Sequence, residues 1–391
     1  MEASADGAMN SLGFAKAPAD TRVVVAMSGG VDSSVTAALL HDQGYEVIGI
    51  TLQLYDHGVA VQSKGACCAG LDIHDARIVS ARLGIPHYVL DYESRFHDQV
   101  MQDFADSYLR GETPIPCVRC NQTVKFTDLL ATARDLGADC LATGHYAQRL
   151  ETDCGVSLVR GADKAKDQSY FLFATTAEQL AFLRFPLGSM SKEETRSLAR
   201  HYELVVSEKP DSQDICFVPN GRYGDVVRRL RPGVVDAGDI RHLDGTVLGR
   251  HNGVIDFTIG QRRGLGIGGR KDADESEGPL YVVSINPDSN TVFVGPREAL
   301  ACREVHIRGV NWINGRPEDG AIVLARLRNT APATRARIYC EHPQAGSAMI
   351  ILDEPQFGIA TGQVAALYYG QDANILLGGG WISKARLAAE N

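Results

Sequence analysis

Short apolar runs alternate with segments of helical periodicity over the N-terminal half of the chain. Buried strands are predicted at the apolar runs, residues 22–27, 46–52, 87–91 and 139–143. Helices are predicted where apolar residues recur every three or four positions, at residues 33–43, 72–83, 94–109 and 123–136. Strands that alternate with helices predict an α/β fold with a doubly wound parallel sheet.

The pattern changes after about residue 220, where Gly and Pro become frequent and the apolar runs shorten to strand length. Strands are predicted at residues 247–248, 281–285, 291–294, 321–327, 336–339, 349–352 and 365–369. Turns are predicted at Pro287-Asp288 and Gly378-Gly-Gly380. This organisation predicts a disordered N-terminal segment (1–21), an α/β domain (22–219), a small middle domain (220–287) and a β-barrel-like domain (288–388).

Composition narrows the class of protein. The chain has 391 residues, of which 44% are hydrophobic, enough for more than one core. No apolar stretch has the length of a membrane span, and Lys16 is the only basic residue before residue 21, which disfavours a transit peptide. A cytoplasmic protein with no membrane partner is therefore expected.

The formal net charge of −9 argues against a generally basic, nucleic-acid-binding surface. Between Arg303 and Arg337, however, seven arginines stand against three acids, which predicts a local face suited to phosphates. A solvated arginine-rich surface is the alternative interpretation.

A glycine loop follows the first predicted strand, with the sequence Ser28-Gly-Gly-Val-Asp-Ser33. Glycines let the backbone approach an anion, and the start of the next helix offers unpaired N–H groups. Asp32 is unfavourable beside phosphates unless it helps to hold Mg²⁺. The loop is neither a Walker A loop nor a dinucleotide fingerprint. An ordinary glycine turn before a helix is the alternative.

The nine cysteines are odd in number, which does not fit a secreted disulfide framework. Cys117 and Cys120 follow two prolines, which predict that residues 113–121 are extended and lie between two helices. With Cys216, they offer either two reactive thiols or three ligands of an iron–sulfur cluster or zinc site. Arg119 would favour a reactive thiolate at Cys120. Cys140 is predicted to lie in the core. Cys67 and Cys68 are predicted to have a local structural role and no part in the chemistry.

Ordered motifs along the chain carry a resemblance to a known family. They are Ser28 to Ser33, Cys120-Asn121 before Lys125-Phe126, Ala142-Thr-Gly-His-Tyr146, Lys166-Asp-Gln-Ser-Tyr170, Ile215-Cys-Phe217 and Ile259-Gly-Gln-Arg-Arg-Gly-Leu-Gly266. In these motifs the chain resembles the bacterial tRNA-specific 2-thiouridylases, which belong to the PP-loop ATP pyrophosphatases.

The resemblance implies an activity and a set of site residues. ATP would be split to AMP and pyrophosphate, and the AMP would be attached to O2 of the wobble uridine in tRNA. The expected substrates are the tRNAs for Lys, Glu and Gln. Cys216 would carry a persulfide sulfur from a cysteine desulfurase or sulfur relay protein, and Cys120 would form a disulfide with it or assist release of hydrogen sulfide. Asp32 would position Mg²⁺. The implied ATP-binding residues are Ala26, Met27, Ser28, Gly29, Gly30, Val31, Asp32, Ser33, Leu52 and Gly144. The implied tRNA-binding residues are His145, Lys166, Asp167, Gln168, Arg328, Asn329 and Gln363.

The sequence departs from the family pattern at three places. Ile115 and Cys117 stand where Asn and Asp are common, so a carboxylate role there is in doubt. Asn329 replaces a common Tyr, and Ala360-Thr361 precedes Gly362-Gln363 where Pro-Gly-Gln is common. A [4Fe-4S] cluster held by Cys117, Cys120 and Cys216 remains an alternative to two reactive thiols. A PP-loop ligase or amidotransferase would leave the cysteines unused, and a non-enzymatic tRNA- or cluster-binding protein would not need an intact Asp32.

Overall fold

The computed structural model describes residues 9–55, 68–152, 155–211, 215–218, 221–267, 278–342 and 346–387. Cys67 and Cys154 lie outside these residues, and of Cys68 only the backbone is described. The chain divides into two compact units. The first comprises Met1–His97 and Arg119–Gln213, and the second Asp98–Val118 and Asp214–Asn391.

A five-stranded parallel sheet forms the centre of the first unit. The unit contains β1 (Arg22–Ala26), β2 (Glu46–Gln53), β3 (His87–Asp91), β4 (Cys140–Ala142), β5 (Ala147–Thr152), β6 (Gly155–Arg160) and β7 (Leu183–Arg184). The sheet has the order β3-β2-β1-β4-β7, and all its pairs are parallel. Val23, Val24 and Val25 of β1 are fully buried in it. The predicted doubly wound α/β fold is confirmed.

The strand order reverses at β1. The chain proceeds from β1 to β2 and β3 on one side, then returns to β4 on the other side. Such a reversal opens a crevice at the carboxyl end of the strands, where α/β sheets bind their ligands. The loop 28–30 lies at this end of β1.

Helices flank the strands of this sheet. Those of the first unit are Val31–Asp42, Cys68–Leu83, Glu93–Phe96, Leu130–Asp135, Ala177–Phe182 and Lys192–His201, with a π-helical segment at Asn121–Leu129. Val31 begins the first helix two residues earlier than predicted, so Asp32 and Ser33 lie in its first turn. β5 and β6, which were not predicted, form an antiparallel hairpin.

The segment before β1 is ordered over residues 9–21. Leu12 is buried and packs with the core of the first unit, and its carbonyl accepts a hydrogen bond from Arg184 Nε (2.7 Å). Asn10 donates to Thr21 Oγ1 (3.0 Å), and Lys16 pairs with Asp139. The prediction of disorder is therefore wrong for residues 9–21, because Leu12 gives the segment a buried anchor; residues 1–8 lie outside the described residues.

Two β-structures make up most of the second unit. Its strands are β8 (Gly238–His242), β9 (Val247–His251), β10 (Tyr281–Asn286), β11 (Thr291–Gly295), β12 (Ala301–Trp312), β13 (Ala321–Arg326), β14 (Thr334–His342), β15 (Ser347–Phe357), β16 (Val364–Tyr369) and β17 (Ile375–Leu387). β8 to β11 form a four-stranded sheet of order β10-β11-β8-β9. β12 to β17 follow the order β12-β15-β14-β13-β16-β17, and β12 pairs with β17, which closes a six-stranded barrel. The predicted β-barrel is confirmed.

The triple glycine at 378–380 lies inside β17, so the turn predicted there is wrong. A Cβ at Gly378 would lie 2.0 Å from the carbonyl oxygen of Asn311, and one at Gly380 3.0 Å from that of Arg308. Both partners belong to β12. The glycines therefore permit close approach of the strands that close the barrel.

Residues 98–118, expected in the α/β domain, group with the second unit. They include a π-helical turn, the helix Gln102–Leu109 and the start of the helix Pro116–Cys120, while the second unit adds the helix Tyr223–Leu230. The Phe104 ring packs edge-on against Phe217 (5.1 Å), and Tyr108 stacks with Tyr223 (6.2 Å). These aromatic contacts explain the grouping. The boundaries predicted at residues 219 and 287 stay predictions.

Among the described residues, no helix is both long and apolar enough to cross a membrane.

Candidate active site

The glycine loop after β1 has the backbone of an anion-binding loop. Gly29 adopts a φ of +72°, and Gly30 occupies the N-cap position of the helix Val31–Asp42 without any side-chain cap. Ser33 Oγ accepts a hydrogen bond from the N–H of Ser28 (3.1 Å), which fixes the curvature of the loop. Since no side chain caps them, the N–H groups of the first helical turn can bind a phosphate at the positive end of the helix dipole.

The other residues predicted to bind ATP lie around this loop. A Cβ at Gly144 would lie 2.9 Å from the backbone nitrogen of Ser33, so the glycine lets the chain after β4 approach the loop. The N–H of Met27 donates to the carbonyl of Ile50 (2.8 Å), two residues before Leu52 in β2. Met27 is only 2% exposed, and it packs in the core of the first unit.

Asp32 lies beside this loop in a network of charged groups. Its carboxylate accepts two hydrogen bonds from Lys192 Nζ (2.7 and 2.9 Å), and its Oδ1 lies 3.0 Å from the Tyr146 hydroxyl. Lys192 also pairs with Asp211 (2.8 Å). Partial burial disfavours the charged form of Asp211, but hydrogen bonds from Lys166 and Lys192 outweigh it and lower the pKa of Asp211 to about 2. Asp211 is therefore charged at neutral pH, and it shares its partner Lys192 with Asp32.

A second lysine anchors the loop from its other side. Lys209 Nζ donates to the carbonyl of Gly29 (2.9 Å) and to the carboxylates of Asp72 (2.7 Å) and Asp75 (2.5 Å). Burial lowers the pKa of Lys209, but hydrogen bonds from its ammonium to Asp72 and Asp75 outweigh this and raise it overall. Lys209 therefore stays charged and ties the helix Cys68–Leu83 to the loop.

Cys117 and Cys120 lie on a short helix, so the extended conformation predicted for residues 113–121 is wrong for Pro116–Cys120. Proline is favourable in the first turn of a helix because the N–H that it lacks would be unpaired there. Cys117 is exposed, whereas Cys120 is buried, 6% exposed. Cys216, in the second unit, is exposed.

The three predicted cluster ligands belong to different units, Cys120 to the first and Cys117 and Cys216 to the second. Over the described ranges, no group of three or more His, Cys, Asp or Glu side chains lies close enough together to hold a metal ion. Cys120 and Cys117 also differ in exposure although they share one helix. Cys140 is fully buried in β4, and burial raises the pKa of its thiol to about 12, so its predicted place in the core is confirmed.

The predicted tRNA-binding turn at 166–168 is held by the protein itself. Lys166 Nζ pairs with Asp211 (2.8 Å), and Gln168 Oε1 accepts a hydrogen bond from the N–H of Tyr146 (2.9 Å). Asp167 is buried and accepts hydrogen bonds from Arg160 Nε (2.9 Å) and from two backbone N–H groups. The Asp167 carboxylate therefore shapes the turn from inside.

Replacing Asp167 with asparagine is expected to lower the free energy of unfolding at pH 7 by about 2 to 4 kcal/mol, because the partly buried Arg160 loses its buried counter-charge. Burial raises the pKa of Asp167, but hydrogen bonds from Ser169 and Arg160 outweigh it and lower the pKa overall. The stabilisation is therefore present above the unfolded pKa of about 3.9 and is lost as the pH falls through the folded value.

Urea denaturation between pH 7 and pH 3 measures this difference, which should shrink at acid pH. Glu178→Gln, at a 77% exposed ion pair with Arg134, is the matched control and should change the free energy by no more than about 0.5 kcal/mol. A destabilisation by Asp167→Asn that does not vary with pH would contradict this assignment.

His145 follows Gly144 and is neutral. Its Nδ1 lies 2.9 Å from Thr143 Oγ1, and its ring packs edge-on against Phe126 and Phe185. Burial, together with the charge of Lys125, lowers the pKa of His145 to about 3. A contact between His145 and RNA would therefore be a neutral hydrogen bond or a packing contact.

The remaining predicted tRNA-binding residues belong to the barrel. Arg328 is exposed and donates to the carbonyl of Phe357 (3.0 Å), while Asn329 is half-buried. Gln363 Nε2 donates to the carbonyl of Thr113 (2.8 Å). In the arginine-rich stretch, Arg308 and Arg335 pair with Glu112 and Asp353, so part of its charge is neutralised.

Sequence reasoning missed Lys192, Lys209 and Tyr146 as neighbours of the loop. Tyr146 ends the motif Ala142-Thr-Gly-His-Tyr146, but the motif gave it no role. Lys192 carried a weak signal, because it is the first residue of a helix, where the dipole disfavours a positive charge. Lys209 carried no local signal, since its partners lie more than 130 residues away in the sequence.

The fold and this site define an α/β protein that has a glycine loop of the anion-binding type and carries a β-barrel. Comparisons with known proteins agree. Residues 21–220 match a family described as the tRNA methyl transferase HUP domain, residues 230–296 the tRNA methyl transferase PRC-barrel domain, and residues 302–382 the aminomethyltransferase beta-barrel domain.

Curated relatives extend over nearly the whole chain. The protein named tRNA-specific 2-thiouridylase MnmA from Rhodospirillum centenum is 64% identical over 378 residues, 96% of this chain and 95% of its own length. Proteins of the same name from Paracoccus denitrificans and Hyphomonas neptunium are 59% and 58% identical, over 97% and 98% of this chain and 95% and 96% of their own lengths. The chain belongs to the tRNA-specific 2-thiouridylase family, and the resemblance inferred from its motifs is confirmed.

Proposed function

We propose that this protein is a tRNA sulfurtransferase that uses ATP to replace the O2 oxygen of the wobble uridine with sulfur. The observation that carries the proposal is the glycine loop at the sheet reversal, which leaves uncapped helical N–H groups beside Asp32. Membership of the 2-thiouridylase family supplies the substrate class. The tRNAs for Lys, Glu and Gln are the expected substrates, and the reaction is expected in the cytoplasm, where ATP and tRNA meet.

Adenylylation is the first step of the proposed reaction. O2 of the uridine attacks the α-phosphorus of ATP, the bond from that phosphorus to the bridging oxygen breaks, and pyrophosphate leaves. The loop 28–33 holds the phosphates through backbone N–H groups. The Asp32 carboxylate, one-third exposed beside the loop, fits a ligand of Mg²⁺, which prefers oxygen ligands. When bound, Mg²⁺ would neutralise phosphate charge.

Sulfur transfer is the second step. The terminal sulfur of a persulfide on Cys216 attacks C2, and AMP leaves with the former O2 oxygen. Cys120 Sγ then attacks Cys216 Sγ and forms a disulfide, which releases the transferred sulfur on C2 as the thiocarbonyl. The persulfide sulfur is reduced and the two cysteines are oxidised, so a thiol reductant must restore them. The exposed Cys216 suits a thiol that is loaded by a separate donor protein, and the buried Cys120 suits a resolving thiol.

A [4Fe-4S] cluster held by Cys117, Cys120 and Cys216 is the alternative to this thiol mechanism. The proposed tRNA contacts are the turn 166–168, His145, and Arg328, Asn329 and Gln363 on the barrel. A cysteine desulfurase or a sulfur relay protein is the expected donor of the persulfide.

AMP release tests the substrate assignment. The full chain is incubated with ATP, Mg²⁺, a desulfurase with cysteine, and a tRNA transcript that has uridine at the wobble position. The same transcript with cytidine at that position is the matched control. We expect AMP to form with the uridine transcript and to fall to background with the cytidine transcript. AMP formation that ignores the transcript and instead requires a carboxylate metabolite would favour the ligase alternative.

A further inference from the structure

Lys192 is held at a defined place beside the loop. It is the first residue of the helix Lys192–His201, whose N-cap Ser191 and third residue Glu194 form a capping box. The backbone N–H of Lys192 also donates to Asp163 Oδ2 (3.1 Å). The side chain is only 12% exposed. The backbone of Lys192 is therefore fixed, and its ammonium is largely shielded from solvent.

The ammonium bridges two carboxylates. Lys192 Nζ lies 2.7 Å from Asp32 Oδ1 and 2.8 Å from Asp211 Oδ1. Asp211 also pairs with Lys166 (2.8 Å) and Arg196 (2.9 Å). The cluster thus contains three cations and two carboxylates, so Asp32 is not left as an uncompensated negative charge beside the phosphate loop.

The pairing of Asp32 with Lys192 matters because ATP brings several negative charges to the loop. A carboxylate such as Asp32 would repel them unless a cation is shared between the two. Lys192 is already bonded to Asp32 and lies on its own helix, so it needs no large movement to share its three donors with a phosphate oxygen.

We propose that Lys192 is a binding residue of the phosphate site. It neutralises Asp32 and contacts the pyrophosphate part of ATP, while Asp211 keeps the Lys192 ammonium in place. The proposal rests on the proposed function only in that the loop binds ATP. It predicts that Lys192 acts on the β- and γ-phosphates and that the adenosine and its α-phosphate are bound by other groups.

Isothermal titration of the full chain with ATP and with AMP, both with Mg²⁺ and without tRNA, tests this. Lys192→Ala is expected to raise the Kd for ATP by about 10- to 100-fold, because a charge-assisted hydrogen bond is lost. The Kd for AMP should change by no more than about twofold. Lys192→Arg, which keeps the charge, should recover most of the affinity for ATP. Arg200→Ala, on the same helix with a 57% exposed side chain, is the matched control and should leave both constants unchanged.

An unchanged Kd for ATP in Lys192→Ala, or an equal loss for ATP and AMP, would overturn the proposal, since Lys192 would then only support the fold. If Lys192→Ala does not fold, the comparison of ATP with AMP is made on Lys192→Gln, with the same two outcomes. Wild-type protein that binds no ATP would instead contradict the proposed function.

Discussion

Replacing Cys216 with serine is expected to lower the rate of 2-thiouridine formation by at least about 1000-fold, because a hydroxyl cannot carry a persulfide sulfur. Cys216 is exposed, so the substitution should leave the fold intact. Adenylylation uses the phosphate loop and not this thiol. The variant should therefore still release about one pyrophosphate per active site in a single turnover with tRNA. Rapid-quench assays of pyrophosphate and mass spectrometry of the digested tRNA measure the two quantities.

Cys117→Ser is the matched control for this prediction, because Cys117 is also an exposed thiol of the second unit. It should form thiouridine at a rate within about threefold of the wild type. Loss of activity in Cys117→Ser, Cys120→Ser and Cys216→Ser alike, together with loss of iron from anaerobically purified protein, would favour the cluster alternative. Wild-type activity in Cys216→Ser would refute its role as sulfur carrier.

Replacing Gly29 with alanine is expected to damage both the fold and the phosphate site. The φ of +72° at Gly29 disfavours any side chain, and a Cβ would lie 2.0 Å from the carbonyl oxygen of Asp72. We expect the free energy of unfolding to fall by about 2 to 5 kcal/mol. The rate of AMP formation should fall by about 100-fold, because the loop must shift by an ångström or so.

Gly30→Ala is the control variant, because it also replaces a glycine of the loop but introduces no backbone strain. Gly30 has a φ of −91°, and the nearest atom to a Cβ there is Ser28 Oγ at 3.6 Å. Its free energy of unfolding should stay within about 1 kcal/mol of the wild type. Thermal and urea denaturation measure both variants. Equal stability of Gly29→Ala and the wild type would show that the loop does not approach Asp72 as described.

The parallel sheet was predictable because local signals agree there. Val23 to Val25 form an uninterrupted apolar run, and glycines mark the ends of the helices that flank the sheet. β12 and β17 were missed for a physical reason. β12 alternates buried residues such as Val305 and Ile307 with charged ones, and β17 contains three glycines, which local propensity assigns to a turn. Only their pairing explains those glycines.

The residues of the site likewise include some that local sequence predicts and some that only tertiary packing brings together. The residues of the glycine loop are adjacent in sequence, so motif and geometry coincide there. Lys192 and Asp32 are 160 positions apart, and their ion pair follows from tertiary packing alone. Asp167 was predicted to bind tRNA from its motif, yet its carboxylate is buried and faces Arg160. A motif identifies which residues matter but does not say which way their side chains point.

Measuring two products in one reaction tests ATP-dependent thiolation of tRNA most directly. Wild-type protein, reduced and loaded with sulfur by a desulfurase, is incubated with ATP, Mg²⁺ and unmodified tRNA that has a wobble uridine, and AMP and 2-thiouridine are quantified together. We expect equal amounts of both, with neither formed when tRNA is omitted. Folded protein that releases AMP in a tRNA-dependent reaction without forming 2-thiouridine would contradict it, because the activated uridine would then have another fate.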